Sequence, residues 1–172
     1  MSLPPFRVPR RRPRLRLDSA GHEWSIFLPD PDDPLIVSGF GEAALLAAAV
    51  VDLPVHHEVL VLLDAHRRVT AMLLDPPAEV GVLVGLADLP GAETPFSQTL
   101  VVLLANDATP VNGAPSADER YGYRALRRIH MAQGLLLLDI VVTDGETVRS
   151  IAIGCDPDPV WFDETPVSAI VS

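Results

Sequence analysis

The 172-residue chain contains no lysine, a single cysteine and few aromatic residues, which make up 5% of its composition. The lone cysteine, Cys155, excludes an internal disulfide and any zinc site built from several cysteines. No apolar stretch reaches the roughly 18 residues that a helix needs to cross a bilayer. The charged N-terminal residues have no apolar segment behind them, which is unlike a secretory signal. We therefore expect a cytoplasmic protein without a membrane span.

All positive charge is carried by 13 arginines, against 23 acidic residues, for a formal net charge of -10. Six of these arginines lie in the first 16 residues, which contain no acid, and seven accompany the 23 acids in the rest of the chain. The chain is thus a short cationic arm on an acidic body. Because an acidic body repels phosphates, nucleic-acid binding would have to use the arm or a local arginine stripe.

The length predicts one domain. Residues 1–17 alternate proline with arginine and predict a flexible arm that ends in an edge strand near Arg14 to Leu17. We expect residues 18–155 to form the domain itself. Residues 156–172 contain three prolines and predict a loosely attached C-terminal tail.

Apolar patterning predicts an α/β fold, a mixed β-sheet with flanking helices. Helices are predicted over two segments, 42–51 and 116–133. Residues 78–88 permit either a helix or a strand. Two hairpin signals argue against a purely parallel sheet. The predicted strands are, in chain order, 22–28, 58–63, 69–74, 98–104, 135–142 and 148–153.

The second helix has the clearest boundaries. Ser116 and Glu119 have the spacing of a capping box, in which each side chain satisfies the other residue's free backbone N–H group. Gly134 stands where a helix of this length would end.

The order of these elements resembles the JAB/MPN (JAMM) fold, in the form of the bacterial RadC family. The matching segments are LVLLDAHRRV at 60–69, PSADE at 115–119 and LLLLDIVVTDG at 135–145. The resemblance extends over residues 58–153, a little over half of the chain. It implies a cytidine-deaminase-like α/β sandwich and, in active members, a zinc-dependent hydrolase.

The metal motif of that family is altered here. In active members the motif is His-x-His, followed after several residues by Ser-x-x-Asp. The two histidines and the aspartate bind zinc, and an upstream glutamate takes the proton of the zinc-bound water. The resemblance implies that the histidine positions are Ala105 and Asp107. It places the serine at Ser116, the aspartate at Glu119 and the base at Glu58. Both histidines are replaced, which implies a domain without its zinc site and without a cofactor.

Two interpretations of the remaining carboxylates stay open. Glu58, Asp107 and Glu119 could form an all-oxygen site, which would suit Mg²⁺, Mn²⁺ or Ca²⁺ better than zinc. Alternatively, Ser116 and Glu119 only cap a helix and Asp107 only occupies a loop.

Other residues able to carry chemistry are interpreted as structural. His56 and His57 are adjacent on a strand and point to opposite faces, so they are poorly placed to chelate together. His66 and His130 are expected to be solvated or locally hydrogen-bonded. Asp139 interrupts an apolar strand, and a buried carboxylate needs a partner, so we expect it to cap a backbone N–H or to pair with an arginine.

Two arginine clusters are candidate binding surfaces. Helical spacing places four arginines on one face of the second helix, where they could bind phosphates or an acidic partner, or be a solvated face. The N-terminal arm could bind nucleic acid or an acidic protein surface. The residues concerned are Arg120, Arg124, Arg127 and Arg128 on the helix, and Arg10, Arg11 and Arg12 in the arm.

The sequence therefore predicts a catalytically inactive JAB/RadC-like domain that acts as an interaction or scaffolding module. Relatives without the metal motif commonly pair with one another, so the resemblance implies a homo-oligomer or another protein partner. The alternatives are a metal-dependent hydrolase with altered carboxylate ligands, and a nucleic-acid-associated protein that uses the arm.

Overall fold

The computed structural model describes residues 14–17, 23–30, 32–77, 96–155 and 168–170. Most of the predicted arm, including Arg10 to Arg12, and the ambiguous segment 78–88 lie outside these residues. The described strands are β1 Arg14–Leu17, β2 Glu23–Phe27, β3 Glu58–Leu63, β4 Val69–Leu74, β5 Gln98–Leu104, β6 Leu136–Thr143, β7 Thr147–Ser150 and β8 Ser168–Ile170. The helices are α1 Phe40–Ala49, followed by a 3₁₀ turn Val50–Asp52, then α2 Ala117–Ala132 and α3 Ala152–Cys155.

The eight described strands form one mixed sheet in the order β1-β2-β4-β3-β5-β6-β7-β8. Only β5 and β6 run parallel among these pairs, and the other neighbours are antiparallel. A parallel pair needs a crossover connection, and α2 supplies it. The predicted α/β class with a mixed sheet and flanking helices is therefore confirmed.

The sheet is buried on both faces at its centre. Strand β3, which reads EVLVLL, has Val59 and Val61 in the apolar cluster that contains α1, and Leu60 and Leu62 in the opposite cluster. A strand covered on both faces reads as a continuous apolar run instead of an alternating one. The cluster opposite α1 includes Tyr123 from α2.

Local signals place α2 as expected. The Ser116 hydroxyl accepts a hydrogen bond from Glu119 N at 3.1 Å, and Ser116 N donates to Glu119 Oε1 at 2.9 Å. Such a cap contributes about 1 kcal/mol to helix stability. At the other end Gly134 has φ +76°, and Leu135 N donates to His130 O at 2.9 Å, which closes the last turn. Both ends of the predicted helix are confirmed.

Two features differ from the sequence expectation. Residues 148–153 were expected to form one strand, but β7 ends at Ser150 and α3 begins at Ala152. Residues Ser168–Ile170 form β8, which pairs with β7, although a loosely attached tail was expected over residues 156–172. Among the described residues, no helix has the length and apolar character needed to cross a membrane.

Candidate functional site

The ends of several strands meet at one end of the sheet. Leu104 N, at the end of β5, donates to His57 O at 2.9 Å, just before β3 begins. Ala105 N donates to Thr143 O at 2.8 Å, at the end of β6. Two sequence-predicted positions, Glu58 and Ala105, are thus brought to the same end of the sheet. Ligand sites in α/β folds commonly lie where parallel strands end.

Asp75 fixes the start of β3. This residue follows β4, is 7% exposed and has φ +49°. Its carboxylate accepts the backbone N–H groups of His56 at 2.8 Å, His57 at 2.7 Å and Glu58 at 3.2 Å. Asp75 N donates in return to Glu58 O at 2.8 Å. Sequence reasoning did not single out this residue, although an acid at the end of an apolar strand is a signal for such a role.

The neighbouring carboxylate Glu58 is half-buried. Burial raises its pKa, the negative charge of Asp75 raises it further, and His57 acts in the opposite direction. A raised carboxyl pKa suits a general base, but it also arises wherever a carboxylate is partly desolvated next to another acid. No hydrogen bond within the described residues joins Glu58 to Asp107 or Glu119.

The loop after β5 is a tight turn. Asn106 Oδ1 accepts Ala108 N at 2.9 Å and Thr109 N at 2.8 Å. Backbone hydrogen bonds between Asn106 and Thr109 run in both directions. The turn explains Asn106 fully, and the side chain of Asp107 is exposed to solvent.

An ion pair between a buried arginine and a partly exposed glutamate lies beneath this loop. Arg149, on β7, is 1% exposed, and its Nη2 atom lies 2.7 Å from Glu119 Oε2. The same Nη2 donates to Pro110 O at 2.6 Å. One guanidinium group therefore ties together the loop, the first turn of α2 and strand β7. Its Nε and Nη1 atoms are buried and find no hydrogen-bond acceptor among the described residues.

The ion pair sets the protonation of Glu119. Burial by itself would raise the pKa of this carboxyl group, but hydrogen bonds from Arg149 and Ser116 and the positive charge of Arg149 outweigh it, so its pKa lies below the ordinary value. Both carboxylate oxygens already accept hydrogen bonds from the protein, Oε1 from Ser116 N and Oε2 from Arg149. Glu119 is thus an ionised structural carboxylate. The role of Arg149 was missed because nothing local marks a partner 30 residues away.

The residues present do not fit the zinc that the resemblance implies. Ala105 has no ligand atom, and Glu119 is engaged by Arg149. The described residues contain no group of three histidine, cysteine, aspartate or glutamate side chains placed to hold a metal ion. Within that part of the chain, Glu58, Asp107 and Glu119 therefore form no all-oxygen site either.

Asp139 caps α3. It is fully buried, and its carboxylate accepts Ser150 Oγ at 2.5 Å and Ala152 N at 2.9 Å. Ser150 Oγ in turn accepts Ile153 N at 3.0 Å. Of the two roles predicted for Asp139, backbone capping is confirmed. This network also explains why the chain turns into a helix after Ser150 instead of extending β7.

Four histidines lie within the described residues, and three of them are exposed. His56 and His57 are exposed, with ring centroids 6.4 Å apart. His66 is exposed, and its backbone N–H donates to Asp64 Oδ1 at 2.8 Å. His130 is buried, and its Nδ1 is hydrogen-bonded to Thr99 Oγ1 at 2.8 Å. The expectation of solvated or locally bonded histidines is confirmed for His56, His57 and His66, which are exposed. It is wrong for His130, which is buried and bonds to a side chain 31 residues away.

Three of the four helix arginines share a surface groove. Its described lining consists of Ala117, Arg120, Tyr121, Arg124, Ala125 and Arg128, and its volume is about 410 Å³. Arg127 is half-buried instead, and its Nη1 lies 3.5 Å from the hydroxyl oxygen of Tyr123. The four arginines have the spacing of one helix face, as expected, but only Arg120, Arg124 and Arg128 line the groove.

Comparison of the chain with models of known families, with characterised proteins and with solved structures finds no match.

Proposed function

We propose that this chain is a non-hydrolytic JAB/RadC-like domain that acts as a protein-interaction or scaffolding module. The observation that carries the proposal is the ion pair between Glu119 and the buried Arg149. At the position where the resemblance implies a metal ligand, the carboxylate is bound by a cation from its own chain. The guanidinium group takes the electrostatic role that a metal ion would have there.

The donor set supports the absence of hydrolysis. A catalytic zinc needs about three protein ligands and an open position for water. Ala105 contributes none, and Glu119 would have to give up a hydrogen-bonded ion pair whose other member is 1% exposed. Leaving a buried guanidinium without its carboxylate costs several kcal/mol, so metal binding would compete with folding.

An interaction role is supported by the outer surface of α2. Five large apolar side chains are exposed among the described residues, and three of them lie on this helix: Tyr121, Ile129 and Met131. Tyrosine, methionine and arginine are the residue types enriched at protein interfaces. A domain without chemistry of its own but with such a surface is suited to contact other proteins.

Metal analysis of the purified chain tests the proposal. We expect no metal ion in stoichiometric amount after dialysis, in the wild type or in Asp107→Ala. Asp33→Ala, which removes another exposed aspartate, is the matched control. One metal ion per chain that is lost in Asp107→Ala and kept in Asp33→Ala would overturn the proposal and favour the altered-ligand hydrolase.

A further inference from the structure

The exposed side of α2 has an unusual composition for this acidic protein. We name Arg120, Tyr121, Arg124 and Arg128 the arginine face. Tyr121 is 76% exposed, and the three arginine side chains are exposed as well. Met131 follows Arg128 by three residues, lies on the same side of the helix and is 59% exposed.

The charge of this face is locally concentrated. Beyond the first 16 residues the chain has seven arginines and 23 acids, and three of the seven are on the arginine face. Neither Arg120 nor Arg128 forms an ion pair with another described residue. Arg120 and Arg128 therefore present positive charge to solvent on a body in which acids outnumber arginines.

We propose that the arginine face docks the acidic surface of a second copy of this chain. This inference rests on the interaction role proposed above and names its partner. Charge complementarity favours it, because beyond its first 16 residues a second copy has 23 acids and only seven arginines. The apolar area of Tyr121 and Met131 and the groove between the arginines allow side chains of the partner to be buried beside the ion pairs.

Nucleic acid fits this face less well. From Arg120 to Arg128 the helix rises only about 12 Å, which is enough to contact two or three phosphates. A longer polyanion would be repelled by the excess of acids in the rest of the body. A folded protein surface can instead match the patch without extending beyond it.

The geometry also constrains the dimer. Two arginine faces would repel each other, so the face of one protomer must meet carboxylates of the other, and a twofold axis closes the pair reciprocally. One side of a helix about 24 Å long covers only part of the roughly 800 Å² per partner of a standard interface. We therefore expect a weak dimer that is sensitive to salt.

Sedimentation velocity of the full chain tests the inference, at about 50 mM and about 500 mM NaCl, because exposed ion pairs are screened at the higher ionic strength. We expect dimers at low salt that dissociate at high salt. The variant Arg120→Glu/Arg128→Glu should raise the dimer Kd by about tenfold or more. Tyr121→Ala should also raise it. The matched control Arg68→Glu, which reverses another exposed arginine, should shift it by less than about twofold.

Each other outcome overturns the inference. A wild type that stays monomeric at low salt has no such dimer. A dimer that is unaffected by Arg120→Glu/Arg128→Glu uses another surface, and the interaction role then stands without this face. A monomer that binds a fluorescent oligothymidine through Arg120 and Arg128 has nucleic acid as its partner. The non-hydrolytic assignment is tested separately by metal content, so the two failures are distinguishable.

Discussion

The Glu119 carboxylate and the Arg149 guanidinium lie 2.7 Å apart, and Arg149 is almost completely shielded from water. The pair connects the first turn of α2 with β7, and through Pro110 O it also holds the loop that follows β5. A charge buried in this way is tolerated only while its partner is present. Loss of either member alone is therefore expected to destabilise the region where the resemblance implies a metal site.

Removing the charge of Glu119 should destabilise the protein. Glu119→Gln keeps an oxygen that can accept Ser116 N but leaves Arg149 without a counter-charge, so we expect the free energy of unfolding to fall by about 2–4 kcal/mol. Urea denaturation measures the change. Asp118→Asn, an exposed neighbour in the same helical turn, is the control and should change it by less than about 0.5 kcal/mol. Equal effects in both variants would mean that the ion pair contributes nothing specific.

The Glu119–Arg149 pair should also make the stability of the protein depend on pH. Because the folded-state pKa of Glu119 is lowered, its contribution is present above the ordinary value of 4.5 and is lost as the pH falls through the folded pKa. The wild type and Glu119→Gln should thus differ most near neutral pH and converge in acid. A difference that stayed constant down to the acid limit would contradict this assignment.

Glu58 should behave in the opposite way. Its pKa is raised, mainly by burial, so the folded state keeps this proton to higher pH than the unfolded chain does. Ionisation of Glu58 therefore lowers stability as the pH rises above 4.5 through its folded pKa. We expect Glu58→Gln to become increasingly stable relative to the wild type between acid and neutral pH, as measured by urea denaturation.

The control for that comparison is Glu146→Gln, because Glu146 is exposed on the β6–β7 turn. Glu58→Gln should diverge from the wild type by more than this variant does. If the two variants diverge equally, the carboxyl group of Glu58 is no more desolvated than one on the surface.

Gly145 should resist substitution for two reasons. Its φ is +97°, and a Cβ atom added there would lie 3.1 Å from Val51 Cγ2. Gly113 has a similar φ of +91° but no atom within 4 Å of an added Cβ, so it separates backbone strain from the steric clash. We expect Gly145→Ala to lower the free energy of unfolding by about 1–3 kcal/mol, and by more than Gly113→Ala does. Thermal denaturation provides the comparison, and equal losses would exclude a clash with Val51.

Parts of the fold could be predicted because their causes are local. The capping box of Ser116 and Glu119 sets the start of α2, and Gly134 sets its end. Each signal lies close in sequence to the boundary that it sets. The apolar run of β3 and the turn after it likewise predict the hairpin with β4.

Other parts depend on residues that are distant in sequence. Arg149 looked like an ordinary strand residue, and only the fold brings it to Glu119 and Pro110. The end of β7 was misjudged because Asp139 accepts a hydrogen bond from Ala152 N and thereby starts a helix, a contact over 13 residues. The local pattern of apolar residues contains no sign of either long-range contact, so neither could be predicted from it.

The central claim is that Arg149 holds Glu119 at the position where the resemblance implies a metal ligand. Calorimetric titration of Zn²⁺ into the wild type and into Ala105→His/Asp107→His/Arg149→Leu tests it most directly, with circular dichroism to verify that both are folded. We predict no stoichiometric site in the wild type and one Zn²⁺ per chain in the variant, which restores two imidazoles and releases the carboxylate. A stoichiometric wild-type site that disappears in Glu119→Gln, or a folded variant that binds no zinc, would contradict the claim.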